Sequence, residues 1–158
     1  MPYALLALVL VILDQVVKYL VLTYIPLGGY VPFLPHIVCL TYVQNTGAAF
    51  SMFSQHTWIL ALISLIMSVV LAVALWKNFF THPLGKVTLA LLLAGAVGNL
   101  IDRALLGYVT DMFETLFMRF AVFNVADICV VVGGIAFCVY YLFFHGKEEG
   151  HGADSAAG

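Results

Sequence analysis

Charge is what this chain has least of: Asp, Glu, Lys and Arg make up 9% of its 158 residues, against roughly 25% in soluble domains. Hydrophobic residues make up 64% and the mean hydropathy is +1.09, more apolar surface than a water-soluble core can absorb. There is no basic run, and a net charge of −2 gives no footprint for nucleic acid, so that class of partner is excluded. The three cysteines (Cys39, Cys129, Cys138) form no CxxC pair. Nine residues along a helix separate the last two by about 13 Å, beyond disulfide reach, and all three read as packing residues. The five histidines (His36, His56, His82, His145, His151) lie outside the apolar runs and lack HExxH or other ligand spacing, so no metal and no cofactor is expected.

What is present is four apolar stretches long enough for a bilayer, which takes about 20 helical residues: Tyr3–Tyr24, Trp58–Trp76, Leu84–Leu106 and Val125–Phe144. The expected architecture is an all-α membrane protein of four transmembrane helices, with small β elements on the outer membrane face. The first stretch lacks a basic n-region and an A-x-A cleavage site and carries Asp14 and Lys18, so it is expected to remain as a helix. Residues 1–145 form the membrane domain in this reading. The tail, 146–158, has no apolar periodicity and is expected to be a disordered cytoplasmic segment. Lys77 and Lys86 flank one connection and Lys147 follows the fourth stretch, whereas Arg119 alone marks the other side. Both termini are therefore expected in the cytoplasm.

Between the first two stretches, Ile37–Val43 is rich in β-branched and aromatic residues and reads as a strand. Gln44–Gly47 reads as a turn and Ala48–Phe53 as a return strand, after a Pro/Gly-rich passage over Ile25–Pro35. A second β patch is expected at Phe117–Phe123.

Because an intramembrane charge costs several kcal/mol unless paired or wetted, the ten charged residues before position 145 are informative. In the expected orientation Asp14, Lys18, Asn99, Asp102, Arg103, Asp111, Asn124 and Asp127 all fall toward the outer face, and the second stretch carries no charge. Asp14 and Lys18, spaced i,i+4, read as a pair holding the first helix to its neighbours. Asn99 and Arg103 either satisfy loop carbonyls or contact a substrate, and Glu114 and Arg119 read as solvated loop charges. Asp111 and Asp127 are different: two acids without a basic partner are set at one depth by a 16-residue excursion. Carboxyls brought close share a proton, leaving one as general base toward water and the other as general acid toward a carbonyl.

Five blocks then stand in register over residues 14–134: Asp14-x-x-x-Lys18, Gln44-Asn45-Thr46-Gly47-Ala48-Ala49-Phe50-Ser51, Gly98-Asn99-Leu100-Ile101-Asp102-Arg103, Gly107-Tyr108-Val109-Thr110-Asp111 and Phe123-Asn124-Val125-Ala126-Asp127. Together they resemble the bacterial lipoprotein signal peptidase, or type II signal peptidase, family. The resemblance implies an aspartyl endopeptidase of the bacterial cytoplasmic membrane that removes the signal peptide of diacylglyceryl-modified prolipoproteins, cutting before the lipidated cysteine. It puts the catalytic pair at Asp111 and Asp127 and the contacts to substrate or to a globomycin-type inhibitor at Asn45, Asn99, Arg103 and Asn124, with Asp14 and Lys18 in support. Membrane lipid is the other implied partner. One departure is visible: Ile128 follows the second aspartate where the family usually has a small hydroxyl residue, so a hydrogen bond expected there is missing.

Two other functions fit parts of this pattern. A small ion- or proton-coupled transporter also carries intramembrane acids, but would need access from both sides, and this sequence has no acid toward the cytoplasmic half of its spans. A Ser–Lys hydrolase would pair Lys18 with Ser51 or Ser54, but Asp14 compromises Lys18.

Overall fold

The computed structural model describes residues 2–47 and 57–144. In chain order the elements are α1 (Pro2–Tyr24), β1 (Tyr30–Leu34), β2 (Val38–Asn45), α2 (Thr57–Trp76), α3 (Pro83–Leu105), β3 (Val109–Thr115) and α4 (Val125–Phe143). All four helices are long and apolar enough to cross a membrane, and the strands form one antiparallel sheet of order β1-β2-β3. The proposed return strand at Ala48–Phe53, and the tail from 146, lie outside the described residues.

The helices pack through narrow stripes, as expected where lipid rather than water covers the outside. On α1 the buried residues are Ala7, Asp14, Lys18 and Val21, and on α4 they are Ala126, Cys129, Gly133 and Tyr140; both sets follow helical spacing. Helix α3 lies at the centre and buries nine residues, among them Gly95, Gly98, Asn99 and Asp102. Two of its glycines are there for space. A Cβ on Gly95 would stand 2.6 Å from the Ala126 carbonyl oxygen, and one on Gly98 would stand 2.6 Å from Asp14 Oδ2 and 3.0 Å from Ala126 Cβ. Only hydrogen at these positions lets α1, α3 and α4 meet at one level.

A small apolar core of Val21, Ile25, Tyr42 and Met112 seals the end of α1 against the sheet. Two expectations about β structure are corrected here. The second β patch lies at Val109–Thr115, which pairs with β2, and not at Phe117–Phe123, of which only Phe123 pairs, in an isolated bridge to Phe113. Strand β1 also forms inside the passage read as Pro/Gly-rich loop, with β2 itself running on to Asn45. Besides its local partner β1, β2 pairs with a strand some seventy residues further along the chain, a non-local pairing that local composition does not encode. The Phe113–Phe123 bridge, with Phe123 N donating to Phe113 O at 3.1 Å, returns the chain to the sheet immediately before α4 starts.

Candidate active site

Asp111 lies on β3, opposite Val43 of β2, and is 1% exposed. Asp127 lies in the first turn of α4, where it and Asn124 form a capping box: Asp127 N donates to Asn124 Oδ1 at 2.9 Å, and Asn124 N donates to Asp127 Oδ2 at 3.2 Å. That box explains how Asp127 is held although Ile128 offers no hydroxyl, for Asn99 Nδ2 donates to its other oxygen at 2.8 Å. Asn124 joins the two acids. Its Nδ2 donates to Asp111 Oδ1 at 2.6 Å and to Asn99 Oδ1 at 3.1 Å, while Asn45 Nδ2 donates to Asp111 Oδ2 at 2.9 Å. Burial, ahead of the repulsion from Asp127, pushes the Asp111 carboxyl up to about 6, against the pull of the Asn45 and Asn124 hydrogen bonds.

Behind this pair lies a buried ion cluster. Lys18 Nζ contacts Asp14 Oδ2 at 2.9 Å and Asp102 Oδ2 at 3.2 Å, and donates to Asn99 Oδ1 at 3.1 Å and to the Gly98 carbonyl at 3.4 Å. Asp14 does more than balance Lys18: its Oδ1 accepts Ala126 N at 2.8 Å, so a carboxylate from α1 serves an otherwise orphaned N–H at the start of α4. Asp102 Oδ2 accepts Thr110 N at 2.9 Å, fixing the strand residue next to Asp111.

All eight residues singled out from the sequence therefore gather at the sheet end of the bundle. Arg103 is half-buried; its guanidinium reaches Gly47 O and Ser64 Oγ at 3.4 Å each and Asn99 O at 3.5 Å. Its Nε is buried and has no hydrogen-bond partner among the described residues. Glu114 is not a loop charge but a β3 residue, accepting the Cys39 thiol at 3.5 Å; burial, then Glu114, pushes that thiol up from its usual range. One contributor is absent from the sequence reading: Gln15 Nε2 bridges Asp14 Oδ2, Gly98 O and Asp102 Oδ1 at 3.1–3.2 Å. Polarity within an apolar span is the signal that marks it.

This architecture has solved counterparts. Two structures described as bacterial membrane enzymes solved by the in meso method are similar to it, one with a TM-score of 0.83 at 33% identity, covering 89% of this chain and 87% of that one, the other with 0.81 at 32%, covering 90% and 94%. The class is thus a multi-pass bacterial membrane enzyme. The sequence profile of signal peptidase (SPase) II matches residues 6–144. Lipoprotein signal peptidases from Enterococcus faecalis (44% identical, covering 89% of this chain and 87% of that protein) and Clostridioides difficile (37%, covering 94% and 100%) are similar along nearly their whole lengths. The chain belongs to the signal peptidase II family, a family of peptidases.

Proposed function

We propose that this chain removes the signal peptide of diacylglyceryl-modified prolipoproteins by aspartyl chemistry, cutting before the lipidated cysteine, with Asp111 and Asp127 as the catalytic pair. The observation that carries it is the shared hold on Asn124: acids from a strand and a helix sit on one asparagine, each carboxyl receives two N–H donors, and neither has a salt-bridge partner among the described residues. One carboxyl takes a proton from water as the water oxygen attacks the scissile carbonyl, and the other gives its proton to the carbonyl oxygen; the resulting diol collapses as the first carboxyl passes its proton to the leaving nitrogen and the second takes one back from a hydroxyl, breaking the C–N bond. Asn45, Asn99 and Asn124 orient the pair, and Arg103 contacts substrate or a globomycin-type inhibitor.

Lys77 and Lys86 lie at the end of the bundle opposite the pair, which supports cytoplasmic termini and a site near the outer face of the membrane. The diacylglyceryl chains can then stay in lipid while the peptide meets the carboxyls, so membrane partition supplies much of the positioning. The Ser–Lys alternative loses its base, because the Lys18 ammonium is engaged by two carboxylates and two carbonyl oxygens; Ser51 and Ser54 lie outside the described residues. The comparisons give the transporter alternative no support.

The test is cleavage of a diacylglyceryl-modified precursor in detergent. Asp111→Asn and Asp127→Asn should each lower the rate by about 1,000-fold or more, and Ser51→Ala and Ser54→Ala should leave it unchanged. Full activity in either asparagine variant refutes the pair.

A further inference from the structure

Three asparagines surround the two acids, and each has its carbonyl oxygen committed to an unambiguous donor. Asn45 Oδ1 accepts Gly47 N at 2.9 Å, Asn124 Oδ1 accepts Asp127 N, and Asn99 Oδ1 accepts the Lys18 ammonium. Their amide orientations follow from these partners. Each NH2 group must therefore face a carboxyl: Asn45 and Asn124 face Asp111, and Asn99 faces Asp127. With the Asn124 backbone N–H on Asp127, the acids have two donors apiece and the count alone does not separate them.

What lies behind the donors does. The carbonyls of Asn45 and Asn124 rest on neutral backbone N–H groups, whereas that of Asn99 rests on a buried cation. Asp127 also occupies the first turn of a helix, where the macrodipole favours negative charge, and Asp111 comes from a strand. We infer that Lys18 is a positioning residue acting through Asn99, so that the resting charge of the pair sits on Asp127 as general base and the resting proton on Asp111 as general acid. This rests on the aspartyl reading above.

The remaining charged groups facing Asp127 do not reverse it. Asp14 of α1 and Asp102 of α3 are neutralised in part by Lys18, and their other contacts are donors: Ala126 N, Thr110 N and Gln15 Nε2. Arg103 of α3 interacts with both acids, and α2 carries no charged side chain.

The test is the pH dependence of kcat/KM for cleavage of a diacylglyceryl-modified precursor in detergent, measured for the parent chain, Lys18→Met, Asn99→Leu and Gln15→Leu. The base must be ionised, so activity rises with pH along the acid limb. Without the cation, or without the amide that passes its influence on, that limb should move to higher pH by about one unit, the low end of what a nearby opposite charge contributes. Gln15→Leu loosens the same contacts to Asp14, Gly98 and Asp102 but leaves Asn99 alone, and its limb should stay in place. An unmoved limb in Asn99→Leu, movement in only one of Lys18→Met and Asn99→Leu, or an equal movement in Gln15→Leu overturns the assignment. If Lys18→Met fails to fold, Lys18→Gln, which removes the charge but keeps an N–H donor, takes its place, and an unmoved limb there overturns the assignment. In all these outcomes inactive Asp111→Asn and Asp127→Asn leave the aspartyl reading intact, whereas activity in either removes both.

Discussion

Helices α2 and α3 are neighbours of similar length, 20 and 23 residues, and are used in opposite ways. Helix α3 buries nine residues, three of them glycine, and carries Asn99, Asp102 and Arg103. Helix α2 buries only Ser68 and Leu71, has no charged residue, and sends Leu62, Ile63, Ile66, Val69 and Val70 outward. In lipid the outward face needs only to be apolar, so hydropathy marks both helices as spans without separating their tasks. The difference lies in what interrupts the apolar run. Glycine and amide side chains on α3 let α1 and α4 approach and then tie them together; α2 adds length against the bundle and gives the site only the Ser64 hydroxyl that Arg103 reaches.

The largest effect outside the acids themselves is expected at Asn124. Asn124→Ala removes a donor from Asp111 and the side-chain cap of α4, and should lower cleavage by at least about 100-fold while the protein still folds. A variant with near-normal kcat/KM would show that the contrast between the polar and the plain helices has no catalytic meaning.

Next comes the close approach. Gly98→Ala puts a methyl group against Asp14 Oδ2 and Ala126 Cβ and should destabilise the protein by about 1–3 kcal/mol, read as a lower Tm in detergent. Gly134→Ala, where a Cβ meets nothing within 4 Å, should be neutral. Equal effects at the two positions would break the claim that α3 is central because of the space its glycines leave.

These two sites also show what a sequence can and cannot display. Asp111 and Asp127 were legible because an unpaired acid in or beside an apolar span demands an explanation. The helices were legible because length and hydropathy are properties of a local window. Strand β3 was not, since Val109–Thr115 carries Thr, Asp and Glu and becomes a strand only by pairing with β2. Phe117–Phe123 looked more strand-like and is mostly not one. The support role of Asp14 was visible in its spacing to Lys18, but its contact with Ala126 N joins residues 112 apart, a tertiary fact that no spacing rule contains.

A smaller and differently shaped effect is expected from pH. Burial lifts Asp111 to about 6, so between the ordinary carboxylate range and that value the folded chain holds a proton that the unfolded chain has released. Stability therefore falls as pH rises through this window, by about 3 kcal/mol at most for this group. Thermal unfolding of Asp111→Asn across the same range should lack that part of the slope. An unchanged slope would place the titration on another group.

The smallest effect separates the two helices most sharply. The Ser68 hydroxyl is buried, yet its bond is to Ser64 O one turn back in its own helix, at 2.7 Å. Such a bond satisfies the hydroxyl without tying α2 to another element, so Ser68→Ala should change stability by no more than about 0.5 kcal/mol and leave cleavage alone. Asn99, on the adjacent helix, makes its side-chain bonds to Lys18, Asn124 and Asp127, and no substitution there is expected to be silent. If Ser68→Ala proved as costly as Gly98→Ala, α2 would have to be reclassified as part of the framework that holds the two acids.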